Sequence, residues 1–177
     1  MILNANPQQK TMRELRALYE KTFPRSEKKP FFVIRRKQRK GTMEILSVED
    51  ANGDFLGFAI TILHKDIVLL DYFAISPTCR GQGIGTKVLA LLEERYAGKR
   101  ILLEIEDPDE PADNTAERLR RREFYLRNGL TIQDYKVWLF GVKMLILTNR
   151  STVTFEEYHE IFEQVFSLKL SKNVTKA

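Results

Sequence analysis

The chain has 177 residues, 43% of them hydrophobic and 30% charged, with a net charge of +5 and an isoelectric point near 9.3. That is enough apolar material for a single domain over 1–177 to bury a core unaided, and one cysteine excludes an internal disulfide. No apolar run approaches the ~18 residues of a membrane span and the N-terminus lacks a signal-peptide pattern, so a cytoplasmic protein with no membrane partner is expected. Residues 11–22 set Met12, Leu15, Leu18 and Tyr19 at helical spacing, and Phe23-Pro24 ends that helix. The basic run Arg35 to Lys40 reads as a solvated hairpin or loop. Met43 to Val48 alternates as a strand, Asn52-Gly53 marks a tight hairpin, and Phe55 to Leu63 returns.

From Ile67 to Ile75 a further strand leads into Arg80-Gly81-Gln82-Gly83-Ile84-Gly85, and a helix follows to Tyr96, burying Ile84, Val88, Leu91 and Leu92. A strand over 100–106 precedes Asp107-Pro108-Asp109-Glu110-Pro111, which can continue neither a helix nor a strand. A helix from about Asn114 closes at Asn128-Gly129, and strands follow near 131–139 and 142–148. Thr154 and Glu157 form a capping box for a C-terminal helix over 154–168, with Phe155, Tyr158, Phe162 and Phe166 on one stripe. That stripe is expected to pack on the body of the chain, with a second subunit as the other use, so a monomer or homodimer. The segment 171–177 is expected to fray.

The glycine-rich turn carries the chemistry. Without Cβ atoms at Gly81, Gly83 and Gly85 the backbone can approach a ligand closely, and the unpaired N–H groups of a helix start attract anions. Gly85-Thr86-Lys87 does not supply the Gly-Lys-Ser/Thr ending of a P-loop, and G-x-G-x-G is not the G-x-G-x-x-G of a dinucleotide site. Arg80-x-x-Gly83-x-Gly85 instead resembles the acyl-CoA pyrophosphate motif of the GNAT superfamily of N-acetyltransferases. Downstream, Phe124-Tyr125-Leu126-Arg127-Asn128-Gly129-Leu130 is similar to that superfamily's aromatic pair before a glycine turn, in the right order after the 100–106 strand. The resemblance covers about residues 43–149.

It implies an α+β fold of mixed αβα layering: a central, mostly antiparallel twisted sheet with splayed fourth and fifth strands, here with an extra C-terminal helix. It also implies acetyl-CoA as cosubstrate and a small-molecule or peptide amine as acceptor. Phe73, Ala74 and Ile75 would offer backbone groups to the pantetheine arm, their side chains being core, and Arg80, Gly81, Gln82, Gly83, Ile84, Gly85 and Thr86 would cradle the pyrophosphate. Tyr125 matches the phenol that protonates the departing thiolate, and Glu104 matches a glutamate that takes the amine proton. Asp71 and Glu106 are further carboxylates for a cationic acceptor, with a solvated strand end as the plain reading of Glu106 and a specific partner expected for Asp71 and Glu104. Phe23-Pro24-Arg25-Ser26-Glu27-Lys28 looks like a turn that lines the acceptor pocket. The asparagine and alanine that commonly precede the Phe-Tyr pair are replaced here by Arg118 to Arg122.

Cys79 reads as a small buried residue, and His64 and His159 lack ligand spacing, so no metal is expected. The basic runs lack interleaved aromatics, which argues against nucleic acid. A non-catalytic acyl-CoA sensor and a basic nucleic-acid-associated protein are the competing readings.

Overall fold

The computed structural model describes residues 1–25, 27–149 and 151–177; Ser26 of the turn after the first helix lies outside the described residues. Among the described residues six α-helices accompany eight strands, which follow the sheet order β1-β2-β3-β4-β5-β7-β6-β8. The chain divides into two compact units, Met1–Leu63 with Leu70–Ala97, and His64–Leu69 with Gly98–Ala177.

In the first unit β1 (Ile2–Asn4) pairs antiparallel with β2 (Met43–Glu49), and β2 with β3 (Phe55–His64). The expected hairpin is present: Gly53 takes a positive φ of 85°, and the Asp50 carboxylate accepts the N–H groups of Asn52 and Asp54 at 2.8 and 2.9 Å. Helices α1 (Gln9–Thr22), α2 (Phe31–Arg39) and α3 (Ile84–Arg95) bury Leu15, Leu18 and Tyr19, then Phe31 and Ile34, then Ile84, Val88, Leu89 and Leu92. Leu89 thus takes the buried place expected of Leu91, which is half-buried. The basic run is corrected as well. Arg35 to Arg39 continue α2 because Phe31 and Ile34 anchor its first turn in the core, and the cations project from the remaining face.

The second unit holds the first residues of β4 (Ile67–Ile75), followed by β5 (Arg100–Glu106), α4 (Thr115–Arg127), β6 (Leu130–Leu139) and β7 (Val142–Asn149). The parallel register of β4 and β5 covers three residues of each, Ile67 to Leu69 against Arg100 to Leu102. Leu102 to Glu106 pair antiparallel with β7 on the other side. Both halves of the Thr154–Glu157 capping box form and open α5 (Phe155–Ile161). That helix is shorter than expected, since a π-helical turn (Phe162–Phe166) and a separate short α6 (Leu168–Ser171) succeed it. Of the expected stripe, Tyr158 and Phe162 are buried on the chain's own body while Phe155 and Phe166 are half-buried. Arg100 ties β5 to α5, its guanidinium meeting Asp66 at 2.8 Å and Glu157 at 2.7 Å. The tail is not frayed: β8 (Val174–Lys176) pairs with β6, and burial of Val174 against Leu139 anchors it.

Candidate active site

In the first unit β4 ends at Ile75, a single 3₁₀ turn (Pro77–Cys79) reverses the chain, and Arg80 to Gly83 lead into α3. Gly81 and Gly83 take φ values of 76° and 72°, a left-handed geometry that side chains with a Cβ resist. Gly83 stands at the N-cap of α3, where among the described residues no side chain accepts the helix's first N–H groups and no acid sits in the first turn. Those donors and the dipole behind them make a helix start of the kind that attracts anions. Arg80, Gly81, Gln82, Gly83 and Thr86 are exposed, Gly85 is half-buried, and Ile84 is buried as the anchor of the helix start. The Arg80 side chain folds back so that its Nε donates to the Ile75 carbonyl at 3.2 Å. Cys79 is half-buried rather than buried.

Upstream, Ala74 is buried while Phe73 and Ile75 are half-buried, so only the first matches the expected core placement. β3 approaches this stretch closely. A Cβ built on Gly57 would stand 2.4 Å from the Ala74 carbonyl oxygen and 3.0 Å from Ile75 Cα, so only glycine fits. The signal for Gly57 was legible as a glycine inside an apolar strand.

Asp71 has the specific partner expected of it, Lys29, whose Nζ lies 2.7 Å from Oδ1. The carboxylate is 4% exposed and its Oδ2 has no hydrogen-bond partner among the described residues. Lys29 Nζ also stands 5.1 Å from the centre of the Tyr72 ring. Tyr72 in turn meets Tyr19 and Phe23 edge-on at 4.9 Å, within an aromatic cluster that Phe31 and Phe58 complete. Lys29 and Tyr72 carry no recognisable motif, and sequence reasoning missed both.

The other expected residues belong to the second unit. Glu104 on β5 has a specific partner too, accepting the hydroxyl of the fully buried Tyr158 from α5 at 2.6 Å. Glu106 is not the solvated strand end its position implied. It is 9% exposed, and its carboxylate is taken up by Arg118 at 2.6 Å and Arg121 at 3.2 Å. Two arginines of the run that replaces the family's asparagine and alanine therefore hold α4 against β5. Asp107 next to it is fully buried on an ion pair with Lys136 at 2.7 Å. Tyr125 is buried on α4 with its ring 5.1 Å from Phe124. Burial pushes its phenol up to about 12, with Arg121 pulling the other way, so it keeps its proton through the neutral range.

A sequence profile of the Acetyltransferase (GNAT) family matches residues 10–120, well over half of the chain and inclusive of the cradle and β5. The chain belongs to this family. The matched stretch ends before Phe124-Tyr125, so that half of the GNAT resemblance rests on the order of the motifs. A curated relative, "Putative acetyltransferase YjbC" of Bacillus subtilis (strain 168), is 33% identical over 111 residues, 55% of this chain and 50% of that protein. The chain therefore spans about half the length of that relative. Among solved structures, a GNAT-family protein from Bacteroides thetaiotaomicron aligns with a TM-score of 0.77 at 20% identity, covering 97% of this chain and 99% of that one. Spermidine N-acetyltransferase from Vibrio cholerae, solved with CoA and spermine, aligns at 0.64 with 14% identity over 82% and 92%. At these identities the two structures attest the GNAT fold. Among the described residues no helix is long and apolar enough to cross a membrane, and no group of three or more His, Cys, Asp or Glu could hold a metal ion.

Proposed function

We infer that the chain is an acetyl-CoA-dependent N-acetyltransferase whose acceptor is a primary amine, acting by direct attack in a ternary complex. The observation that carries this reading is the cradle: two left-handed glycines deliver the chain into a helix whose first N–H groups have no side-chain cap. Such a start suits a pyrophosphate. Arg80 and Gly81 to Thr86 would hold that group, and the backbone of Phe73, Ala74 and Ile75 the pantetheine arm. Bound there, the cosubstrate supplies a thioester carbonyl.

The residues divide the remaining work. Glu104 takes a proton from the acceptor ammonium. The neutral nitrogen then attacks the carbonyl carbon, the C–S bond breaks, Tyr125 gives its proton to the sulfur, and the second proton leaving the nitrogen restores the phenol. The net products are the amide, CoA thiol and one proton. A phenol held near 12 is a competent donor to a thiolate at neutral pH because it is still fully protonated. Of the two acidic residues expected to bind the acceptor, Asp71 has an oxygen to spare, whereas Glu106 is engaged by two guanidinium groups.

The test is CoA-thiol release against a panel of polyamines, amino acids, aminoglycosides and peptide N-termini, with Tyr125→Phe alongside. Turnover of the variant should fall on the order of 10²–10⁴-fold while thermal stabilisation by acetyl-CoA persists. Unchanged turnover removes the acid role. Stabilisation without release from any amine would make the chain an acyl-CoA-binding module.

A further inference from the structure

Asp71 combines two properties that rarely coexist in a finished core. Its side chain is 4% exposed, yet among the described residues Oδ2 has no hydrogen-bond partner, while Oδ1 is held by Lys29 at 2.7 Å. A buried carboxylate oxygen without a donor is unfavourable, and it persists where a ligand is to supply one. The lysine is not a loose side chain that happens to reach the acid. Its backbone N–H donates to the Tyr72 hydroxyl at 3.0 Å, its carbonyl accepts the Tyr19 hydroxyl at 2.8 Å, and Tyr72 donates to the Glu27 carbonyl at 2.8 Å. Two tyrosines thus lock the backbone of Glu27 and Lys29 onto β4 and fix where the ammonium stands, over the Tyr72 ring.

The direction of β4 says what this arrangement faces. The cradle follows the C-terminal end of the strand, and a pantetheine arm running back along Ile75, Ala74 and Phe73 carries its reacting end toward Asp71. Asp71 shares strand parity with Phe73, two residues away and about 7 Å along the strand. A carboxylate at that end would receive the acceptor as an ammonium.

We propose that Lys29 sets the acceptor class of this enzyme: Asp71 Oδ2 takes one ammonium, and Lys29, already on Oδ1, excludes acceptors that bring a second cation close behind the first. An ammonium at Oδ2 shares with Lys29 a carboxylate of one charge and brings the three groups to a single net positive charge, and repulsion from a fixed like charge in a poorly solvated place is strong within several ångströms, so a second cation close behind the first is disfavoured. The acceptor class is then a primary monoamine on an uncharged chain, in contrast to a polyamine. This inference rests on the N-acetyltransfer reading above.

The experiment compares kcat/KM for butylamine and spermidine, read as CoA-thiol release, in the wild type, in Lys29→Met and in the double variant Lys29→Met with Asp71→Asn. The wild type should favour butylamine by tenfold or more, and Lys29→Met should cut that preference at least tenfold by admitting spermidine. The double variant leaves no buried charge unpaired, so it remains informative if the single variant fails to fold. It should lose the preference and use both amines poorly while still being stabilised by acetyl-CoA. Equal use of the two amines by the wild type overturns the proposal, and so does a preference that survives in the double variant. Release with neither probe overturns it too. If another amine then gives release, the N-acetyltransfer reading stands alone, and if acetyl-CoA does not stabilise the protein, both fall.

Discussion

Adding one methyl group at Gly57 should damage cofactor binding without substituting any residue proposed to contact the cofactor. The new Cβ would lie 2.4 Å from the Ala74 carbonyl oxygen, 3.0 Å from Ile75 Cα and 3.1 Å from Ile75 Cδ1. The first two are backbone atoms, so no rotamer change relieves the clash. Carbon–oxygen contacts settle at about 3.3–3.6 Å, and β3 and β4 must therefore part by roughly 1 Å. Overpacking of this kind costs about 1–3 kcal/mol. For a chain of this size each kcal/mol lowers the melting midpoint by about 2–4 °C. The displaced carbonyl belongs to Ala74, one of the residues assigned to the pantetheine arm, and a misplacement of ~1 Å costs on the order of 10²-fold in turnover. Thermal melts with and without acetyl-CoA, together with CoA-release kinetics, read both effects. Gly53→Ala is the control: its φ of 85° strains any side chain, but nothing lies within 4 Å of the added atom, so stability should drop by about 1–2 kcal/mol with cofactor affinity intact. A Gly57→Ala protein that melts within a degree of wild type and keeps its cofactor affinity would show that the two strands part freely, and the steric argument would be refuted.

Glu104→Gln should lower kcat/KM on the order of 10²–10⁴-fold near neutrality and recover toward high pH, where the acceptor is already neutral; a complete wild-type pH–rate profile would remove the assignment. Asp107 offers a stability test. Burial raises its carboxyl, but the Lys136 ammonium and the Asp109 N–H outweigh burial and hold it below the usual carboxylate range. A carboxyl depressed in the folded state stabilises fully above its unfolded value near ~3.9, and that contribution is lost as pH falls through the folded value. Asp107→Asn should therefore cost about 1.5–3 kcal/mol at pH 7, with the gap to wild type closing below about pH 4 in urea titrations. A gap that is constant with pH would contradict the ion pair.

Much of the fold was legible because it is written in short-range patterns. The Asn52-Gly53 hairpin, the alternation of β2 and the Thr154–Glu157 capping box each satisfy a local backbone requirement, and each formed as expected. The basic run of α2 misled for the opposite reason. Arg and Lys tolerate helix and loop alike, and the decision lay with Phe31 and Ile34, which needed a core to enter. β8 had only three residues of signal, and a partner strand supplied the rest.

The candidate site divides along the same line. Glycine order in Arg80 to Gly85 and the strand feeding it marked the turn into α3 from the sequence alone, since a left-handed turn into a helix start is demanded residue by residue. Nothing local connects Lys29 to Asp71 across 42 residues, or Tyr158 to Glu104 across 54. Those contacts exist because the aromatic cluster of the first unit brings Glu27 and Lys29 against β4, and because burial of Tyr158 sets its hydroxyl on β5. Which carboxylate keeps an oxygen free, and which is neutralised by arginine, is thus a property of long-range packing that only the tertiary structure could decide.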